Sequence, residues 1–203
     1  MRYSPARLLL LFVGCVVLGA GVALLLSADL GSDGYSTLVR GVSLALDISF
    51  WNANLIIGVL FVGLAAARRV YPGLGTVVQV AVVGGTVSVL LEVLETPDGL
   101  PLRILLLAAA FPVLAWGIAA YLGSHTGAGP TEAAALAWDP PVPFKWSYSL
   151  VQGGGALVGW LLGATIGAGT IAVILCLGPL VDLASRLSRL DVHQTTSTPD
   201  PVP

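Results

Sequence analysis

A few polar side chains stand among long apolar runs, and their types suit recognition better than bond-making. Ser32, Asp33, Tyr35, Ser36 and Arg40 belong to "LGSDGYSTLVRG" (30–41), Thr131 and Glu132 to "TGAGPTEAAALAWD" (126–139). Gln79 and Gln152 sit inside apolar runs. A carboxyl inside a membrane is functional by default, so Glu132 reads as a coupling or gating group. As an acid in the first turn of a helix it would also stabilise that turn by about 0.3–1 kcal/mol. Asp33 reads as a solvated loop acid near an outer mouth. Gln79 and Gln152 either line a solute path or bond neighbouring helices, a contact of about 0.6 kcal/mol. Arg40 either binds an anion or extends its head to the interface. No H-E-x-x-H, G-x-S-x-G or Gly-x-Gly-Asp occurs, and His125 and His193 stand far apart. No enzyme, metal site or cofactor is therefore expected.

The rest of the chain must position these groups. Of its 203 residues, 56% are hydrophobic and only 10% charged, with mean hydropathy +0.92. Soluble domains carry about a quarter charged residues, so an all-α integral membrane protein is expected. The net charge of −2 has no basic cluster, which excludes a nucleic-acid partner and leaves the lipid bilayer as the first one. Cys15 and Cys176, both in apolar runs, read as small buried hydrophobes and not as a disulfide.

A spanning helix needs about 20 apolar residues. Six runs qualify or nearly so: 8–27, 52–67, 76–94, 103–123, 148–164 and 169–185. The first is longer than the roughly 7–15 residues of a signal-peptide core and reads as a retained span. Of the nine basic residues, Arg2, Arg7, Arg68, Arg69, Lys145, Arg186 and Arg189 fall on one side, Arg40 and Arg103 on the other. The positive-inside rule then places both termini in the cytoplasm of a bacterial inner-membrane protein. Trp51, Trp138 and Trp146 fit interfacial anchors. The Pro/Thr-rich tail, 189–203, is expected to be disordered.

The two halves resemble each other. "PGLGTVVQVAVVGGTV" (72–87) matches "IGAGTIAVILCLGPLV" (166–181) at Gly73, Gly75, Thr76, Gly84 and Val87 against Gly167, Gly169, Thr170, Gly178 and Val181, each 94 residues on. Trp51, Leu55 and Gly58 match Trp146, Leu150 and Gly153 at 95, and Gly31 matches Gly127 at 96. Units 1–97 and 98–188 would each hold three spans. An odd number makes the second copy enter from the opposite face, an inverted 3+3 repeat as in many transporters.

The two glycine-rich knots then become symmetric mates. Gly31, Gly127, Gly129 and Pro130 break the chain, and short helix-compatible stretches follow at roughly 35–46 and 131–138. These are too short to span, so two re-entrant half-helices are expected, with N-termini pointing inward from opposite faces. Free N–H groups at two helix starts would suit an anion or a carboxylate-bearing solute. Gly73/Gly75 and Gly167/Gly169 read as tight turns before spans three and six. Gly153, Gly154, Gly155, Gly159 and Gly163 read as a close-packing stripe.

"ADLGSDGYSTLVRGVS", "PGLGT", "TGAGPTEA", "LVGWLLG" and "IGAGTIAVILCLGPLVD" resemble the YczE/YyaS/YitT family of bacterial membrane proteins, the YczE branch most closely. The resemblance covers roughly residues 8–185 and implies this architecture without a defined chemistry. Where the family pattern has Pro-Trp-Asp in the first knot, Gly34, Tyr35 and Ser36 stand here. Thr131 and Glu132 replace a basic residue and Asp in the second. Tyr148 and Gln152 take the places of an Arg and a Glu, which leaves hydrogen bonding as the implied chemistry. The expected function is a transporter or channel for a small, possibly anionic solute. The alternative is an accessory protein that supports another enzyme, as a homo-oligomer or with a membrane-protein partner.

Overall fold

The computed structural model describes residues 3–138, 141, 142 and 144–190. Arg2, His193 and the tail from 191 onward lie outside them. Eight helices follow one another among the described residues: α1 Pro5–Ala28, α2 Gly34–Leu46, α3 Phe50–Ala67, α4 Leu74–Leu91, α5 Leu100–Gly123, α6 Pro130–Leu136, α7 Phe144–Leu161 and α8 Ala168–Ser188. The ends follow from local chemistry. Ser4, Asp33 and Ser49 cap α1, α2 and α3, each accepting from a backbone N–H three residues on. Asp29 and Asp47 end α1 and α2 in the left-handed region, at φ 50° and 51°.

Five helices, α1, α3, α4, α5 and α8, are long and apolar enough to cross a membrane. Helix α7 holds the expected fifth run, but its first half carries Lys145, Ser147, Tyr148, Ser149 and Gln152. These dilute its apolar character. The exterior is as apolar as the interior: Leu9 is 65% exposed, Val59 70% and Leu161 70%. Helices hydrophobic on every side need a lipid surround, so the chain is a multi-pass membrane protein. Cys176 is turned to this exterior while Cys15 is buried, which corrects the expectation that both are interior.

Helices α1 and α5 lie along each other, with α4 against α1 and α8 against α5. Small residues permit the approach: a Cβ on Gly117 would sit 2.5 Å from the Leu18 nitrogen, and one on Gly14 would sit 2.6 Å from the Tyr121 nitrogen. The short helices cross over. α2 packs on α7 and α3, α6 on α3 and α7. A core of Leu18, Val22, Leu25, Val39, Phe50, Ile57, Val87, Leu114 and Val173 fills the centre.

Each knot docks on the Gly-x-Gly-Thr segment of the other half. The Gly169 N–H donates to the Leu30 carbonyl at 2.8 Å, and the Gly75 N–H donates to the Thr126 carbonyl at 2.9 Å. The Thr76 hydroxyl also donates to the Ala128 carbonyl at 2.5 Å. Gly31 and Gly127 carry the positive φ values, 101° and 130°. Gly73 and Gly167 are extended helix caps at φ −90° and −177°. Their segments need small residues for close approach and not for a turn conformation. The stripe on α7 divides as well. Gly155 and Gly159 touch α2, whereas a Cβ on Gly153, Gly154 or Gly163 would meet nothing within 4 Å.

Candidate functional site

The start of α2 is built by Asp33, whose carboxylate accepts the Ser36 N–H at 3.0 Å. That cap role replaces the expected solvated loop acid. The next residue in the turn reaches across. The Tyr35 N–H donates to Gln152 Oε1 on α7 at 3.0 Å, and Gln152 Nε2 donates to the Tyr148 hydroxyl at 3.0 Å. The Tyr35 hydroxyl donates to Asn54 Oδ1 on α3 at 3.0 Å, and Asn54 Nδ2 donates to the Val80 carbonyl on α4 at 2.7 Å. The Tyr35 ring meets Phe61 edge-on, centroids 5.6 Å apart. Both atoms of the Gln152 amide are thereby used, and one chain of bonds links α2, α7, α3 and α4.

The start of α6 is arranged differently. Gly129 caps it, Pro130 takes the first helical position and Glu132 the third. A Cβ on Gly129 would collide with both the Gln79 amide and the Glu132 carboxyl, so both groups lie over the glycine. Gln79 Oε1 and Glu132 Oε2 are buried and have no hydrogen-bond partner. The charge of Asp33 reaches Glu132, and Tyr35 and Tyr148 lie in the field of both acids. Asp33, Tyr35 and Gln152 thus gather at the start of α2 and Gln79 and Glu132 at the start of α6, with the charge of Asp33 acting between the two groups.

The other expected residues go elsewhere. Ser32 and Arg40 line a separate cavity of about 90 Å³ with Asp29, Thr37, Thr96 and Thr165. There the Ser32 and Thr37 hydroxyls lie 2.8 Å apart. Asp29 accepts from Thr165 at 2.5 Å and pairs with Arg103 at 3.4 Å. Ser36 and Thr131 are buried. The expectation left out Asn54 and Tyr121, whose hydroxyl donates to the Gly127 carbonyl at 3.0 Å. Asn54 gave the same signal as Gln79, an amide inside an apolar run. Tyr121 gave none, since an aromatic near a span end fits the interface equally well.

Helix starts attract negative charge through their free N–H groups, but here each start already holds a carboxyl of its own, Asp33 on α2 and Glu132 on α6. Helix α6, at seven residues, also has little dipole to offer.

The family DUF6198, described as a family of unknown function, matches residues 5–186. An uncharacterized protein of Haemophilus influenzae is 24% identical over 184 residues, covering 89% of this chain and 83% of its own. No solved structure shows a significant match.

Proposed function

The chain belongs to DUF6198, a family of unknown function, and from that premise we propose that it is a transporter or channel for a small polar solute. One observation carries this reading: two short helices, α2 and α6, each carry an acid at their start, Asp33 and Glu132, inside an otherwise apolar membrane protein. Buried acids in such a setting mark solute or proton paths. The solute would donate hydrogen bonds or carry positive charge, because the acids already occupy the helix starts.

The wider frame is a six-span inverted repeat in the bacterial inner membrane, with α7 joining α1, α3, α4, α5 and α8 as a span and α2 and α6 as re-entrant halves. The matched docking of the two knots, Leu30 with Gly169 and Thr126 with Gly75, supports it. So does the resemblance to the YczE/YyaS/YitT family. Reporter fusions after residues 69 and 189 are expected to read cytoplasmic, and one near 98 external. An external signal after residue 69 would overturn both the orientation and the repeat.

For the function itself, a cysteine in place of Thr131 is the probe, in a chain with Cys15→Ala and Cys176→Ser. In membrane vesicles it is expected to react with a small water-soluble thiol reagent, because a conducting path must wet this buried position at times. If it stays unreactive while a cysteine in place of exposed Tyr71 reacts, the transport reading fails.

The second reading, an accessory membrane protein, gains from another observation. Gly153 and Gly154 are exposed on α7 with open space before them. Small residues on an outer helix face admit a close-packed partner helix.

A further inference from the structure

We propose that Glu132 is a proton-binding site: its carboxyl carries an exchangeable proton at neutral pH and donates it in a hydrogen bond to the Gln79 amide oxygen. The proposal rests on the local geometry and holds whether or not a solute moves. Glu132 Oε2 and Gln79 Oε1 converge over Gly129, both are buried, and no donor reaches either. Two facing acceptors without a donor repel, and each loses the hydrogen bonds that water would have supplied. An ionised carboxylate only accepts, whereas a protonated one gains an O–H donor. One proton therefore satisfies both orphan oxygens.

The charges around the carboxyl favour the neutral form. The titratable groups that share its field are Asp33, a second acid capping α2, and the phenols of Tyr35 on α2, Tyr121 on α5 and Tyr148 on α7. From α4 comes the uncharged Gln79. The cation at the end of α3, Arg68, is engaged at the far end of α6. Its Nε donates to the Ala137 carbonyl at 3.1 Å and its guanidinium lies 4.6 Å over the Trp138 ring. Ion pairs among the described residues are Asp29–Arg103 and Asp182–Arg186, neither of which involves this site. Burial favours the protonated carboxyl most, its own backbone N–H opposes this and the charge of Asp33 adds to it, and no ion pair among the described residues holds the carboxylate.

One rearrangement competes. Rotating the Gln79 amide end for end would let Nε2 donate to an ionised Glu132, and the two orientations of an amide are close in shape. Infrared spectroscopy of the full chain in lipid vesicles separates the two. At pH 7 a protonated-carboxyl C=O band is expected in the native protein. It should be lost in E132Q, kept in D33N, and displaced to higher wavenumber in Q79L, where its acceptor is gone. The native protein offers a second readout that needs no variant at the site. Glu92, Glu95 and Glu132 are the chain's glutamates, and the first two are exposed. Carbon-13 labelling of glutamate carboxyls should move the band to lower wavenumber, also in a Glu92→Gln, Glu95→Gln background. Absence of the band at pH 7, or its persistence unmoved under glutamate labelling, would overturn the proposal and favour the rotated amide with an ionised Glu132.

Discussion

Gly159→Ala is expected to leave little folded protein, whereas Gly154→Ala on the same helix is expected to be tolerated or slightly stabilising. The reason lies in the seam between α2 and α7. A Cβ on Gly159 would run into the Thr37 carbonyl, and one on Gly41 would sit 2.5 Å from the Gly159 carbonyl oxygen. A Cβ on Gly155 would sit 2.7 Å from the Gly34 oxygen, and one on Gly34 would overlap the Gln152 backbone. The obstacles are main-chain atoms, so a rotamer change relieves nothing and the helices must part. Overpacking costs about 1–3 kcal/mol at one site, and parting the helices would also lose the Tyr35–Gln152 bond that opens the polar cluster. Gly154 has open space, and replacing glycine by alanine inside a helix gains roughly 0.5–1 kcal/mol. Thermal unfolding in detergent, followed by size-exclusion elution, measures both. Equal melting temperatures for the two variants would contradict the seam.

A comparably large loss is expected for Gly31→Ala, with Gly127→Ala losing somewhat less. At φ 101° and 130° both glycines hold a backbone that other residues rarely adopt, a strain of order 1–3 kcal/mol. At Gly31 the new Cβ would also lie 2.5 Å from Thr170 Oγ1 and 2.6 Å from the Gly167 nitrogen. At Gly127 it would lie 2.9 Å from the Gly73 Cα. Strain and collision act together, and both fall on the joints that aim α2 and α6. The yield of monodisperse protein from membranes is the readout, with Gly153→Ala as the tolerant control. Native yield from Gly31→Ala would show that the first knot can relax, and with it the position of Asp33.

Part of this site was open to a reader of the linear chain. Glu132, Gln79 and Gln152 stand out because amides and acids are rare within apolar runs, and the two short helices follow from knots too polar and too broken to span. The partners within the cluster were not open to that reader. Tyr35 and Asn54 bond across α2 and α3, and Gln79 and Glu132 both lie over Gly129 only because the glycine leaves them room. Asp33 looked like a loop acid because capping depends on where the following helix begins. Ser32 and Arg40 share a segment with Tyr35 yet line another cavity, Ser32 because it precedes the helix and Arg40 because it lies on a different side of α2.

By itself the sequence determined the membrane setting, the apolar helices and the breaks between them. Each is a local property, set by apolar run length and by glycine and proline. The tertiary structure alone decided which glycines of α7 are indispensable, which oxygens lie buried without partners, and that two acids end up in each other's field. Those are contacts between segments about a hundred residues apart. Their energy depends on gaps of less than an ångström between backbones, and no local pattern of residue types carries that distance.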